Sequence, residues 1–247
     1  MSSTENPLPF LQREENSVTR EKLYFHKFAL DLHFAAATKG YPLQILPPDV
    51  DRYGFDVVLN DQDFERHIQT KTFLPDSTTD DWSIRKGFLR PSMSFVSLET
   101  AGLGGGIVVI QILPSCSEVV YHYADYLTLL AMKEKLVKGH KSSVATRILK
   151  RLLKGSARDE VTLAFGVFLR AKTVNGLLGL MGLHNSLESS VLPNLFHDLQ
   201  SAPESSTQAF AKTQGVMRER ISAVFSALVE LLDMPEMALW RPLRVVI

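Results

Sequence analysis

Two neighbouring stretches constrain this chain more than any others: Tyr53 to Leu59 and Arg66 to Phe73. Each reads as a buried strand. In the first, Val57, Val58 and Leu59 run apolar straight after Asp56. In the second, Ile68, Thr70 and Thr72 alternate with Gln69, Lys71 and Phe73, the period of two that a pleated strand imposes. The link from Asn60 to Glu65 carries Asp61 and Asp63 and predicts a hairpin turn. Side chains two apart on a strand share a face. Gln69 and Lys71 therefore project together, and a hairpin partner brings Asp56 alongside. A carboxylate, an amide oxygen and an ammonium on one sheet face can hold a divalent ion and stabilise an attacked phosphate. The same three residues also fit a solvated surface ion pair. What favours a site is the apolar setting, since Gln69 lies between Ile68 and Thr70 with Phe73 on its own face.

An acid opening one strand, followed on the next by an acidic or amide residue, any residue and lysine, resembles the PD-(D/E)XK nuclease superfamily. The matching residues are Asp56, Gln69 and Lys71, the variant with Gln-x-Lys in place of Glu-x-Lys. The resemblance covers about residues 20–135. It implies an α+β fold with a restriction-endonuclease-like αβββαβ core, a mixed sheet flanked by helices. It implies hydrolysis of phosphodiester bonds in DNA, with Mg²⁺ or Mn²⁺ as cofactor, in restriction, phage defence or a mobile element. Catalytic lysine chemistry would fall to Lys71, beside the charge that develops on the phosphate. Asp56 and Gln69 would ligate the ion. Gln69 is neutral, so one charge is missing, and Glu21 on the first helix is the best compensating acid, with Asp31 second. Glu21 equally fits a simple first-turn helix charge. The backbone carbonyl of Thr70 is a further oxygen donor. The alternative is a catalytically inactive module of the same fold that binds nucleic acid or a protein.

The remaining elements follow from pattern. Residues 1–17 read as a mobile arm. A helix capped by Ser17 or Thr19 runs to about Thr38, with Tyr24, Phe25, Phe28, Leu32, Ala35 and Ala36 as its core stripe and Lys39-Gly40 as its end. Pro42 to Leu46 is a short first strand and Ile107 to Leu113 a central one. A helix starting at Ser117 or Asp125 carries Tyr126, Leu129, Leu130 and Leu136 and ends near Gly139. Past Ser142 the strand signals fade. Val144, Ile148 and Leu152 predict a helix ended by Gly155, and Val161 to Ala171 reads as another. Leu177 to Leu183, Val191 to Leu199 and a long amphipathic Thr207 to Leu232 complete an all-α carboxy-terminal domain. The expected division is therefore an arm at 1–17, a nuclease domain at 18–139 and a helical domain at 140–247.

Charge is uneven although the net is zero. Residues 133–158 hold nine basic residues against Glu134 alone. Lys141, Arg147, Lys150, Arg151, Lys154 and Arg158 in this belt would neutralise phosphates, or form the solvated face of a linker helix. Arg85, Lys86 and Arg90 fit a solvated face better than a binding surface. The single cysteine, Cys116, excludes an intramolecular disulfide and a cysteine metal cluster and fits a reducing cytoplasm. Met1 to Gln12 lack a basic region followed by an apolar core, so no secretory signal is expected. Apolar runs fall short of a membrane span. His26 and His33 share a helix face without a third ligand, and Gly104 to Gly106 precede a strand rather than a helix. The expected partner is DNA, with a homodimer or protein partner through the carboxy-terminal helices.

Overall fold

A computed structural model describes residues 6–47, 54–62, 65–90, 105–133, 135, 137 and 142–183. Its frame is a mixed sheet of six strands in the order β1 (Gln44–Leu46), β2 (Val57–Asn60), β3 (Glu65–Phe73), β5 (Gly106–Ile112), β6 (Val119–Ala124) and β8 (Leu169–Arg170), with a second sheet of β4 (Asp81–Arg85) and β7 (Glu160–Ala164) beside it.

The long helix α2 (Ser17–Thr38) buries Tyr24, Phe28, Leu32, Ala35 and Ala36, the stripe its periodicity predicts. Gly40, at φ +80°, takes the left-handed turn that ends it. The expectation of a mobile arm fails over the described part of residues 1–17. There α1 (Leu8–Leu11) and a turn at Glu14–Asn16 fold back, Leu11 is buried, and Arg20 Nη1 donates to the Leu11 carbonyl at 2.6 Å. One buried leucine at the end of a short proline-led turn is too little periodicity to read.

Strands β1 (Gln44–Leu46), β2 (Val57–Asn60) and β3 (Glu65–Phe73) form an antiparallel meander. The hairpin register pairs Val57 with Ile68 and Asn60 with Glu65. From β3 the chain crosses through β4 (Asp81–Arg85) and the one-turn α3 (Lys86–Leu89), then returns as β5 (Gly106–Ile112), parallel to β3. β5 is fully apolar and buried except at Gln111, as expected of a strand covered on both faces.

Two expectations need correction. Of the two expected helix starts, Ser117 fails, because Val119 to Ala124 is strand β6, antiparallel to β5, and Asp125 holds, standing directly before α4 (Tyr126–Lys133). Val161 to Ala171, expected as a helix, contains β7 (Glu160–Ala164), a 3-10 turn at Phe165–Val167 and β8 (Leu169–Arg170). Val161 and Leu163 are buried while Glu160, Thr162 and Ala164 are exposed, a period of two in too short a run to outweigh the helix before it. β7 pairs with β4 and β8 with β6, so strand pairs join both sides of the expected boundary at 139/140. α5 (Ser142–Leu152), before β7, is a helix where the pattern places it, and α6 (Val174–Met181), after β8, overlaps the expected Leu177 to Leu183 but starts three residues earlier. The segments Val191 to Leu199 and Thr207 to Leu232 lie outside the described residues. The described fold is thus mixed α and β with a mixed sheet. No helix among the described residues is long and apolar enough to cross a membrane.

Candidate functional site

Pairing fixes which side chains share a face. Arg66, Ile68, Thr70 and Thr72 lie on one face of β3, and His67, Gln69, Lys71 and Phe73 on the other. The first face packs under α2. Phe28 meets the Tyr121 ring at 5.6 Å, and Tyr121 donates to Asp31 Oδ2 at 2.7 Å. The second face carries Gln69 opposite Ile107, Lys71 opposite Val109 and Phe73 opposite Gln111.

Asp56 stands just before the first paired residue of β2. Its N–H donates to the Ile68 carbonyl at 2.9 Å. Its Oδ2 accepts from the Thr70 N–H at 2.6 Å and from the Thr70 hydroxyl at 2.8 Å. The carboxylate thereby takes the acceptor role that a β2 carbonyl would fill had the ladder continued. Asp56 is anchored to both neighbours of Gln69, which brings acid and amide together at the mouth of the hairpin. The carboxylate leans to the face of Thr70, whereas Gln69 and Lys71 project from the opposite one. Gln69 and Lys71 are partly buried and make no side-chain hydrogen bond or ion pair among the described residues. Beside them, His67 lies against Phe55 at 4.5 Å and Glu65 at 3.5 Å, and burial holds its ring below the ordinary histidine range.

Glu21 is exposed. It lies one turn before Tyr24, whose hydroxyl donates to the Cys116 carbonyl in the loop beyond β5. Asp56 sits beside Thr70, which pairs with Val108 near the start of β5. The two acids therefore stand at different heights of the sheet, and Glu21 is not brought to Asp56. Asp31, the second choice, is engaged by Lys27 at 2.5 Å and by Tyr121. Among the described residues, no three His, Cys, Asp or Glu side chains form a metal-binding group.

Nothing matches this chain among protein-family models, curated proteins or solved structures.

Sequence reasoning missed two supports of this region. The first is a buried cluster behind β3. Arg66 Nη2 donates to Asp125 Oδ2 at 2.5 Å and to the Tyr123 hydroxyl, and Tyr123 donates to Asp125 at 3.0 Å. Asp125 also caps α4: its Oδ1 accepts the Thr128 N–H at 2.7 Å, and its own N–H donates to Thr128 Oγ1 at 2.8 Å. The pattern Asp-Tyr-Leu-Thr before an apolar run was the available signal. The second is an aromatic seam joining the two sheets. Phe73 stacks on Phe165 at 5.4 Å, and Trp82 meets Phe165 and Phe168. Nothing local in the sequence pairs residues so far apart.

The belt residues divide by position. Arg147, Lys150, Arg151 and Lys154 line one groove of about 480 Å³ with Ser142, Ser143 and Thr146. Arg158 lies on the turn after Gly155 and is exposed. Lys141 lies outside the described residues. Lys86 and Arg90 close the end of α5. Arg90 Nη2 donates to the Lys154 and Gly155 carbonyls at 2.9 Å, and Lys86 Nζ to the Lys154 carbonyl at 3.0 Å. Carbonyls that a helix leaves unpaired are satisfied by cations, which the dipole favours.

Proposed function

We propose that the protein is a metal-dependent nuclease of the restriction-endonuclease-like kind, acting on DNA. The observation that carries this is β3 itself. Gln69 and Lys71 share one face, are partly buried, and have no side-chain partner among the described residues, while Asp56, just ahead of β2, is tied to the Thr70 that lies between them. A lysine and a glutamine set together on a strand among buried apolar residues keep donors and an acceptor open for a ligand. Topology supports the same reading. α2 covers an antiparallel meander, and the next main-sheet strand, β5, runs parallel to its last member, the order an αβββαβ core requires.

Mg²⁺ keeps several waters and needs only one or two carboxylates beside substrate phosphates. Asp56 and the Gln69 amide oxygen would share such an ion only after the carboxylate turns from Thr70 to the Gln69 face; without a third acidic or histidine ligand among the described residues they do not fit an ion caged by protein alone. When bound, the ion would polarise the phosphate and lower the pKa of a water. Thr70 fixes the Asp56 carboxylate. The Lys71 ammonium balances the charge growing on the phosphate oxygens.

Supercoiled plasmid and single-stranded DNA, incubated with Mg²⁺ or Mn²⁺, test this reading. Wild type should cut at least one, and Asp56→Ala and Lys71→Ala should not. Equal cleavage by all three proteins overturns it.

One observation favours a second reading, an inactive module of the same fold that binds nucleic acid or protein. Asp56 Oδ2 already accepts two hydrogen bonds from Thr70, on the face away from Lys71. Calorimetry with Mn²⁺ separates the two. An isotherm lost in Asp56→Ala favours the enzyme, and no isotherm in wild type favours the module. A homodimer or protein partner through the carboxy-terminal helices concerns residues beyond those described. Light scattering on the full chain tests it.

A further inference from the structure

We propose that α5 and the adjoining corner of the β4–β7 sheet form a track for a nucleic-acid phosphate backbone, leading past Arg85 to the sheet edge at Gly54 and Asp56. The destination rests on the nuclease reading; the track stands on its own observations.

The first observation is an imbalance of pairing. Several cations elsewhere are matched: Lys27 with Asp31, Arg66 with Asp125, Lys86 with Asp159. On α5, Arg147, Lys150, Arg151 and Lys154 make no ion pair among the described residues. They follow one another at the three- and four-residue spacing that puts them on one face. The opposite face is fixed by packing, with Ala145, Ile148, Leu149 and Leu152 buried. Like charges so close repel one another, and the carboxy-terminal end of the helix dipole offsets only part of that for Lys150 and Arg151.

The second observation is continuity. Arg151 and Lys154 also line a neighbouring groove of about 310 Å³ with Lys86, Glu160, Val161 and Thr162. Glu160 is its one acid, and Ser83 Oγ donates to it at 2.5 Å. Next to Lys86, the Arg85 side chain lies against Gly54: a Cβ placed there would be 3.9 Å from Arg85 Cδ. Gly54 is two residues from Asp56. Cations thus recur from Arg147 through Lys154 and the Asp159-paired Lys86 to Arg85, beside the mouth of the hairpin.

The lining chooses the partner. Hydroxyls of Ser142, Ser143 and Thr146 among guanidinium and ammonium groups are the usual donors to phosphate oxygens. An anionic membrane would call for an apolar edge to enter the headgroups, and this groove has none. The lining is cations and hydroxyls, all of which bind phosphate oxygens, so the grip on the backbone is independent of sequence. From Arg147 to Lys154 the helix rises about 10 Å, the length of about three phosphates along one strand of a duplex.

Fluorescence anisotropy with labelled 20-nucleotide single and double strands in EDTA, across a salt series, tests the track on the full chain. Four neutralised phosphates give a log–log salt slope of about −3 to −4. The Arg147→Gln/Lys150→Gln/Arg151→Gln/Lys154→Gln protein should bind at least tenfold more weakly in moderate salt, with most of that slope gone. Lys150→Gln alone should lower the slope by about one, which keeps the test open if the fourfold variant misfolds. Lys22→Gln/Lys39→Gln, which removes two exposed cations of α2 and its end, should change neither. Wild-type affinity in the fourfold variant overturns the proposal. So does wild-type binding to phosphatidylserine vesicles or polyglutamate with none to oligonucleotides. Salt-dependent binding that Asp56→Ala retains, without cleavage by wild type, would sink the nuclease and leave the track standing.

Discussion

Arg66 and Asp125, far apart in the sequence, meet at 2.5 Å with side chains 3% and 4% exposed. Tyr123 and Thr128 complete the cluster, so the charged pair is hydrogen-bonded as well as neutralised. Their attraction also keeps Arg66 protonated against the pull of burial. Removing one partner strands the other in a dry interior. Arg66→Met should cost about 3–5 kcal/mol, read as a fall in denaturation midpoint. Asp125→Asn, which keeps part of the cap, should cost less. Equal stability of Arg66→Met and wild type would mean that the pair is not closed in solution.

Backbone space makes a second prediction. A Cβ on Gly106 would run into the Tyr123 ring, in the middle of the main sheet. Gly106→Ala should destabilise by about 1–3 kcal/mol. Gly54, at φ +78°, has room for a Cβ but holds a left-handed backbone. Gly54→Ala should cost about 1–2 kcal/mol. Thermal melts of both variants check this.

Asp56 and Thr70 supply a third. Thr70→Val keeps shape and the backbone N–H but deletes the hydroxyl that donates to Asp56. Stability should fall by about 1 kcal/mol. If the nuclease reading holds, cleavage should fall further than stability explains, because the acid loses one of its two anchors. Parallel plasmid-cleavage and melting measurements distinguish the two effects.

His67 predicts a pH dependence. Burial is the main cause of its lowered pKa; Glu65 opposes the shift and Arg66 adds to it. The unfolded chain therefore takes up its proton first as pH falls through the ordinary histidine value of 6.5. Stability from this residue is full above that pH and is lost below it. The drop in melting temperature between pH 7.5 and 5.5 should be smaller in His67→Gln than in wild type.

The tyrosines act at the other end of the scale. Burial raises Tyr24, Tyr41 and Tyr126 to about 12 and pushes Tyr121 and Tyr123 up as well. A folded pKa above the unfolded 10 stabilises fully below pH 10 and is lost as pH climbs through the folded value. Phenolate absorbance should lag behind that of free tyrosine and then rise together with unfolding.

Much of the frame was legible because its signals are local. The α2 stripe, the alternation through Ile68, Thr70 and Thr72, and the apolar run of β5 each announce an element within one segment. What escaped depends on distant partners. β7 is five residues long and is a strand because Ile84 and Trp82 stand opposite Val161 and Leu163. β6 carries Tyr121, His122 and Tyr123 in a row, which hides its alternation. At the site, the sequence put Gln69 and Lys71 on one face. It could not show the lean of Asp56 toward Thr70, which depends on where the β2 ladder stops. Nor could it show that Glu21 lies beyond the far end of β5, since helix phase fixes direction but not height.

The crossover between β3 and β5 has a consequence for biosynthesis. β4 lies within it, yet its strand partner among the described residues, β7, is made much later, after α5. A nascent chain emerging from the ribosome therefore carries Trp82 and Phe73 uncovered until Phe165 arrives. Fragments that stop before Ala164 should be prone to aggregate and to bind chaperones, and the site on β3 should mature only late in translation.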